Sequence, residues 1–111
     1  MRVTNPLPTA SIYSTWQENI EITSADDGTL VDVGSLSEIT LKLQDPDTLL
    51  DEMTLYMSTG DITVPSLGIF EWRVDASRMS ALPSRFYNVV ILLDDGTTIV
   101  TLLLGNVSIV E

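Results

Sequence analysis

The chain contains no cysteine, no histidine and only five lysines and arginines among its 111 residues. Without a thiol there is no disulfide scaffold and no cysteine nucleophile. Without an imidazole there is no Ser-His-Asp triad, no histidine acid–base chemistry and no ordinary zinc site. Arg2, Lys42, Arg73, Arg78 and Arg85 are scattered along the chain, whereas a phosphate backbone is bound by clustered cations. Sixteen Asp and Glu leave a net charge of −11, which also opposes attraction to anionic lipid. The expectation is a protein with neither a nucleic-acid nor a membrane partner. The apolar runs at Val89–Leu93 and Ile99–Leu104 are too short to span a bilayer. Met1–Pro6 does not open an apolar core of the secretory kind. The lack of cysteine is compatible with any redox compartment.

What is present is a globular composition, 44% hydrophobic and 19% charged, in a length suited to one core. Residues 1–11 hold Pro6 and Pro8 with little periodicity and read as an extended arm. Residues 12–111 read as a single domain. Ile20 and Ile22 alternate with Glu21 and Thr23 in a half-buried strand pattern, and Asp26-Asp27-Gly28 is turn chemistry. Thr29–Val33 reads as a short strand. From Ser37 to Leu43 the alternation is strict, with Ile39, Leu41 and Leu43 on one face. Met53–Met57 and Ile62–Val64 are further strands, the second stopping at Pro65. In Leu67–Val74, Phe70, Trp72 and Val74 share a face, so Trp72 is expected in the core. Residues 75–82 read as a short helix with Asp75 as its N-cap. Phe86–Leu93, Asp94-Asp95-Gly96 and Thr97–Leu104 form a hairpin, and Asp-Gly is among the strongest short hairpin signals. Gly105 marks a bulge or kink. Seven or eight short strands, turns about every ten residues and one short helix indicate an antiparallel immunoglobulin-like β-sandwich, with a small β-barrel as the alternative.

Carboxylates are the only abundant reactive groups. Asp94-Asp95 at a hairpin tip is expected to be solvated, unlike a general acid with a raised pKa. Asp45, Asp47 and Asp51 are oxygen ligands of the kind Ca²⁺ prefers, but their spacing does not match an EF-hand loop. The glycines are isolated and form no phosphate-cradling loop. No enzyme activity, metal or cofactor is expected.

The hairpin is the more informative feature. With Asp95-Gly96 as a two-residue turn, one face carries Val89, Ile91 and Leu93. The other carries Val90 and Leu92 with Ile99, Thr101 and Leu103. A sandwich strand needs only one apolar face. The second face is either covered by this chain's own arm or loops, or is a protein interface. Its candidate anchors are Val90, Leu92, Ile99 and Leu103. Pro6, Pro8, Tyr13 and Trp16 of the N-terminal segment are further candidate contacts.

The run Ile20-Glu21-Ile22-Thr23-Ser24-Ala25-Asp26-Asp27-Gly28-Thr29-Leu30-Val31-Asp32-Val33 and the segment Ser37–Leu43 with Asp45-Pro46 resemble small structural modules of tailed phages and prophages. So do Gly68–Val74, Ala81-Leu82-Pro83 with Tyr87, the Asp-Gly hairpin and the closing Leu104–Ile109. These modules are similar to the immunoglobulin-like N-terminal domains of baseplate upper proteins and to accessory domains of tails and capsids. The resemblance implies a non-enzymatic virion component, made in the bacterial cytoplasm. It would be assembled in many copies with other virion proteins and with copies of itself, as capsid decoration or a tail or baseplate accessory. The alternative is a carbohydrate- or ligand-binding sandwich using Tyr13, Trp16 or Tyr56 as a stacking platform.

Overall fold

The computed structural model describes residues 2–3, 10–11, 13–24, 27–83 and 85–110. In chain order its elements are β1 (Arg2–Val3), β2 (Ala10–Ser11), β3 (Trp16–Thr23), β4 (Glu38–Gln44), β5 (Asp51–Tyr56), β6 (Ile62–Ser66), β7 (Ile69–Val74), α1 (Ala76–Met79), β8 (Phe86–Asp94) and β9 (Ile99–Val110). A four-stranded sheet has the order β1-β3-β7-β6, and a five-stranded sheet the order β2-β9-β8-β4-β5. All pairings are antiparallel except that of β2 with β9. From β3 onward the chain changes sheet between β3 and β4, between β5 and β6, and across α1 between β7 and β8. This is the immunoglobulin-like arrangement. The corner before β8 carries that fold's tyrosine device: Tyr87 is fully buried and its hydroxyl donates to the Pro83 carbonyl at 2.8 Å.

Period-two patterning explains the layers. Ile39, Leu41 and Leu43 of β4 are buried while Glu38, Thr40, Lys42 and Gln44 are half-buried. In β8 the buried set is Tyr87, Val89, Ile91 and Leu93. From the other sheet Trp16, Ile20 and Ile22 of β3 and Phe70, Trp72 and Val74 of β7 point inward to meet them. Trp16 and Trp72 pack edge to face, centroids 5.4 Å apart at 74°. Met79 and Leu82, in and just after α1, are buried in the same core.

Four local expectations are corrected. Thr29–Val33 is not a strand. Only Leu30 bridges to Thr23, and the chain then tightens into a 3-10 turn at Val33–Ser35 as it crosses between sheets. β6 does not stop at Pro65 but runs to Ser66, with a register shift between Thr63 and Ser66. It is an edge strand, where the missing N–H of proline costs no ladder bond. α1 is one turn, and Asp75 sits at its N-cap without a side-chain cap bond; its carboxylate lies 3.5 Å from Arg73 Nε instead. The N-terminal segment is not simply an arm. Arg2–Val3 joins one sheet and Ala10–Ser11 the other, so these residues belong to the sandwich. Trp72 is fully buried, as its strand pattern requires.

One glycine is tightly constrained. Gly68 turns β6 into β7 with φ +77°, and a Cβ there would lie 2.7 Å from Leu30 Cδ2. Both the backbone conformation and the close approach demand glycine.

Candidate functional site

The β8–β9 hairpin positions the candidate face. Its loop is longer than the two-residue turn expected. Asp94 pairs with Ile99, leaving Asp95–Thr98 as the connection. Side-chain acceptors decide this geometry. Asp94 Oδ1 accepts the Gly96 N–H at 2.8 Å, and Asp95 Oδ1 accepts those of Thr97 and Thr98 at 2.8 and 2.7 Å. The longer loop moves the register by two residues, so Leu93 faces Val100 and Leu92 faces Thr101. A shift of two leaves every side chain on its expected face.

Further along, the register shifts between Val89 and Val90, where Leu104 is the extra residue of β9, next to Gly105 at φ +128°. This bulge changes the parity of β9. Before it Val100, Leu102 and Leu104 turn toward the core; after it the buried residues are Val107 and Ile109. One inserted residue thus lets a twelve-residue strand keep its apolar side inward while it bends.

The outer face of the five-stranded sheet can be read row by row. Tyr56, Thr40, Leu92 and Thr101 form one row across β5, β4, β8 and β9; Thr54, Lys42, Val90 and Leu103 form the next. Ile99 stands beside Asp94 at one end, and Phe86 beside Ser108 at the other. Ile99 is 58% exposed, Leu103 67%, Phe86 63% and Tyr56 41%, with Val90 and Leu92 half-buried between them. The outer face of the four-stranded sheet is different. There Gln17, Asn19 and Glu21 of β3 lie against Arg73, Glu71 and Ile69 of β7, and Gln17 Nε2 donates to Glu71 Oε1 at 2.6 Å. On the five-stranded sheet the next row, Gln44, Asn88 and Asn106, is polar and separates Phe86 from Val90. The apolar part of this face is therefore the cluster Val90, Leu92, Ile99 and Leu103 on β8 and β9, whereas the outer face of the four-stranded sheet has no such cluster among its paired residues.

The structure brings together four of the predicted contacts: Val90, Leu92, Ile99 and Leu103. Tyr13 is exposed but follows β2, at the sheet edge. Pro6 and Pro8 lie outside the described residues. Trp16 is a correction. It pairs with Val74, is only 3% exposed and packs on Trp72. Its parity with Ile20 and Ile22 signals the core, but Glu18 interrupts the apolar series. Glu18 falls on the same inward-facing set, opposite Trp72, and desolvation raises its pKa. Phe86 was missed, although it shares the parity of Val90 and Leu92.

The alternative stacking platform is not assembled. Trp16 is internal, and Tyr13 and Tyr56 lie at opposite edges of the five-stranded sheet. Those edges are four strand spacings apart, about 19 Å. The acidic groups are likewise separated by their own partners. Asp45 is buried, pairs with Arg85 at 2.8 Å and accepts the Asp47 N–H; Asp51 pairs with Lys42 at 3.2 Å and accepts from Gln44. Among the described residues no three carboxylates converge on a metal-sized site and no cavity opens. Hydrogen bonds from Thr98 and Thr97 lower the pKa of Asp95, the opposite of what a general acid requires. Lys42, Arg73, Arg78 and Arg85 each lie in an ion pair with an aspartate, so their charge is already answered within the chain.

No family model matches the chain, and no curated protein does. The fold has a solved counterpart. It is similar to part of an endo-beta-1,4-mannanase from Thermotoga petrophila, with a TM-score of 0.58 and 11% sequence identity. The match covers 93% of this chain and 18% of that one. At that identity the likeness is one of fold alone.

Proposed function

We propose that the protein is a non-enzymatic assembly module of a tailed-phage particle, docking onto another virion protein through the outer face of its five-stranded sheet. The observation that carries the docking surface is the contrast between the two outer faces. A sheet face that must meet only water takes Gln, Asn, Glu and Arg, as the four-stranded sheet does. The opposite face exposes Ile99 and Leu103 around Val90 and Leu92, with Tyr56 beyond Thr40 and Phe86 beyond Asn88. The cluster Val90, Leu92, Ile99 and Leu103 is costly in water and marks an interaction surface. The sequence resemblance to phage structural modules supports the particle as its setting.

The test is Leu92→Asp. Leu92 has Thr40 and Thr101 beside it in its row, with Glu38 and Asp94 in one adjacent row and Lys42 in the other, so in the free domain the new carboxylate is exposed to water on a mixed-charge face and the domain stays folded. On docking, an unpartnered carboxylate is buried, at a cost of about 3 kcal/mol or more, which weakens binding by about a hundredfold. Mass spectrometry of purified particles should find the wild-type protein and not the variant. Wild-type protein absent from particles, or binding sugars on a glycan array through Tyr13 or Tyr56, would refute this reading.

A further inference from the structure

The edges of the two sheets are not treated alike. β6 carries Pro65 and a register shift. β5 opens with Asp51-Glu52 and is irregular where it meets Gln44. β3, covered among the described residues only at Ile22 and Thr23, sets Glu18 on its inward face. Proline, irregularity, charge and inward charge are devices that stop an edge from templating another strand. β9 is the exception. Its twelve residues contain no proline and no charge. Among the described residues, β2 covers only Ile109 and Val110 on the side away from β8. The bulge lies beyond Leu103, so Ile99–Leu103 is a regular stretch of five residues with no strand beside it among the described residues on that side.

The backbone groups of this stretch face outward. Asp94 turns its carbonyl to the Ser37 N–H, and the Thr98 carbonyl accepts from Asp95. Ile99, opposite Asp94, therefore directs its N–H and C=O away from β8, and Thr101 and Leu103 do the same by alternation. Charge is also withdrawn from this edge. Ala10–Ser11 of β2 and the whole run 96–110, which includes β9, hold no Asp, Glu, Lys or Arg in a chain of net charge −11.

We infer that this edge pairs with a second copy of the chain, β9 against β9. The charge pattern selects that occupant. A basic partner would be met by carboxylates, and this edge has none; an uncharged strand is what fits, and β9 is one. Two strongly acidic molecules approach with least repulsion where both lack charge. A two-fold axis perpendicular to the sheet sets the strands antiparallel, joins two five-stranded sheets into one and consumes both open edges, so the assembly closes as a dimer. The contact is made by backbone hydrogen bonds at the edge. Ile99, Thr101 and Leu103 thus offer side chains to the outer face and backbone groups to the edge, and a copy paired at the edge leaves Val90 and Leu92 uncovered on the face.

Sedimentation equilibrium of the full chain from about 1 µM to about 1 mM should show a reversible species of twice 12.2 kDa. The amides of Ile99, Thr101 and Leu103 should exchange slowly with solvent at high concentration and quickly at low. Thr101→Pro deletes one edge donor, and Thr101→Lys places like charges near the two-fold axis. Each should move the monomer–dimer midpoint upward by about tenfold or more. The lysine variant controls for backbone strain in the proline variant. Leu92→Asp should leave the dimer intact, which separates this surface from the docking face. A wild-type chain monomeric throughout, a dimer indifferent to Thr101→Lys, or edge amides protected equally at every concentration would overturn the inference.

Discussion

Trp72 offers the sharpest test of the core. It is fully buried, packs edge to face with Trp16 and lies 5.9 Å from Phe70, centroid to centroid. Trp72→Ala removes the indole and leaves a cavity walled by strands of both sheets, which cannot collapse far without breaking their ladders. The expected loss is about 3–5 kcal/mol, a large share of the about 5–15 kcal/mol that holds a domain together. Thermal unfolding should fall by about 15 °C or more. Trp72→Phe is the informative companion. The Trp72 indole N–H is buried without a hydrogen-bond partner among the described residues. Phenylalanine keeps much of the ring and removes that donor, whose desolvation costs about 1–3 kcal/mol. Lost volume and relieved desolvation then oppose each other, and the net cost should be about 1–2 kcal/mol. Urea unfolding of the three proteins, followed by far-UV circular dichroism, reads the difference. Equal losses for Phe and Ala would show that the indole N–H is satisfied. A loss below about 1 kcal/mol for Ala would show that Trp72 is not in the core.

Two further outcomes follow from the same geometry. Gly68→Ala should cost about 1–3 kcal/mol because its backbone lies at φ +77° and a Cβ meets Leu30, whereas Gly60→Ala, with nothing within 4 Å, should cost less; thermal melts of the pair decide it. Glu18 has a folded-state pKa raised by desolvation, so protonation favours the fold: its contribution is fully present below the unfolded carboxyl pKa and lost as pH rises through the folded one. Glu18→Gln should therefore raise the urea midpoint at pH 7, with the gain vanishing below about pH 4. A gain that is instead larger in acid would reverse the sign assigned to this group.

The sequence by itself determined the strands whose two faces meet different surroundings. Ile39, Leu41 and Leu43, or Phe70, Trp72 and Val74, cannot all reach a core except as alternate residues of a pleated strand, so their placement was legible without any partner. The doubly apolar hairpin was legible for the same reason, and its faces survived a wrong turn because the loop error was an even number of residues. The bulge was legible in the isolated Gly105, though its register opposite Val89 and Val90 was not. The 3-10 turn at Val33–Ser35 and the burial of Trp16 were decided by the tertiary structure, because they depend on the passage between sheets and on Trp72 packing against Trp16. The placing of Arg2–Val3 on one sheet and Ala10–Ser11 on the other, and the edge position of Ile99–Leu103 among the described residues, are likewise properties of strand order. Strand order is set by long-range pairing, and local alternation carries no information about which strand will lie alongside.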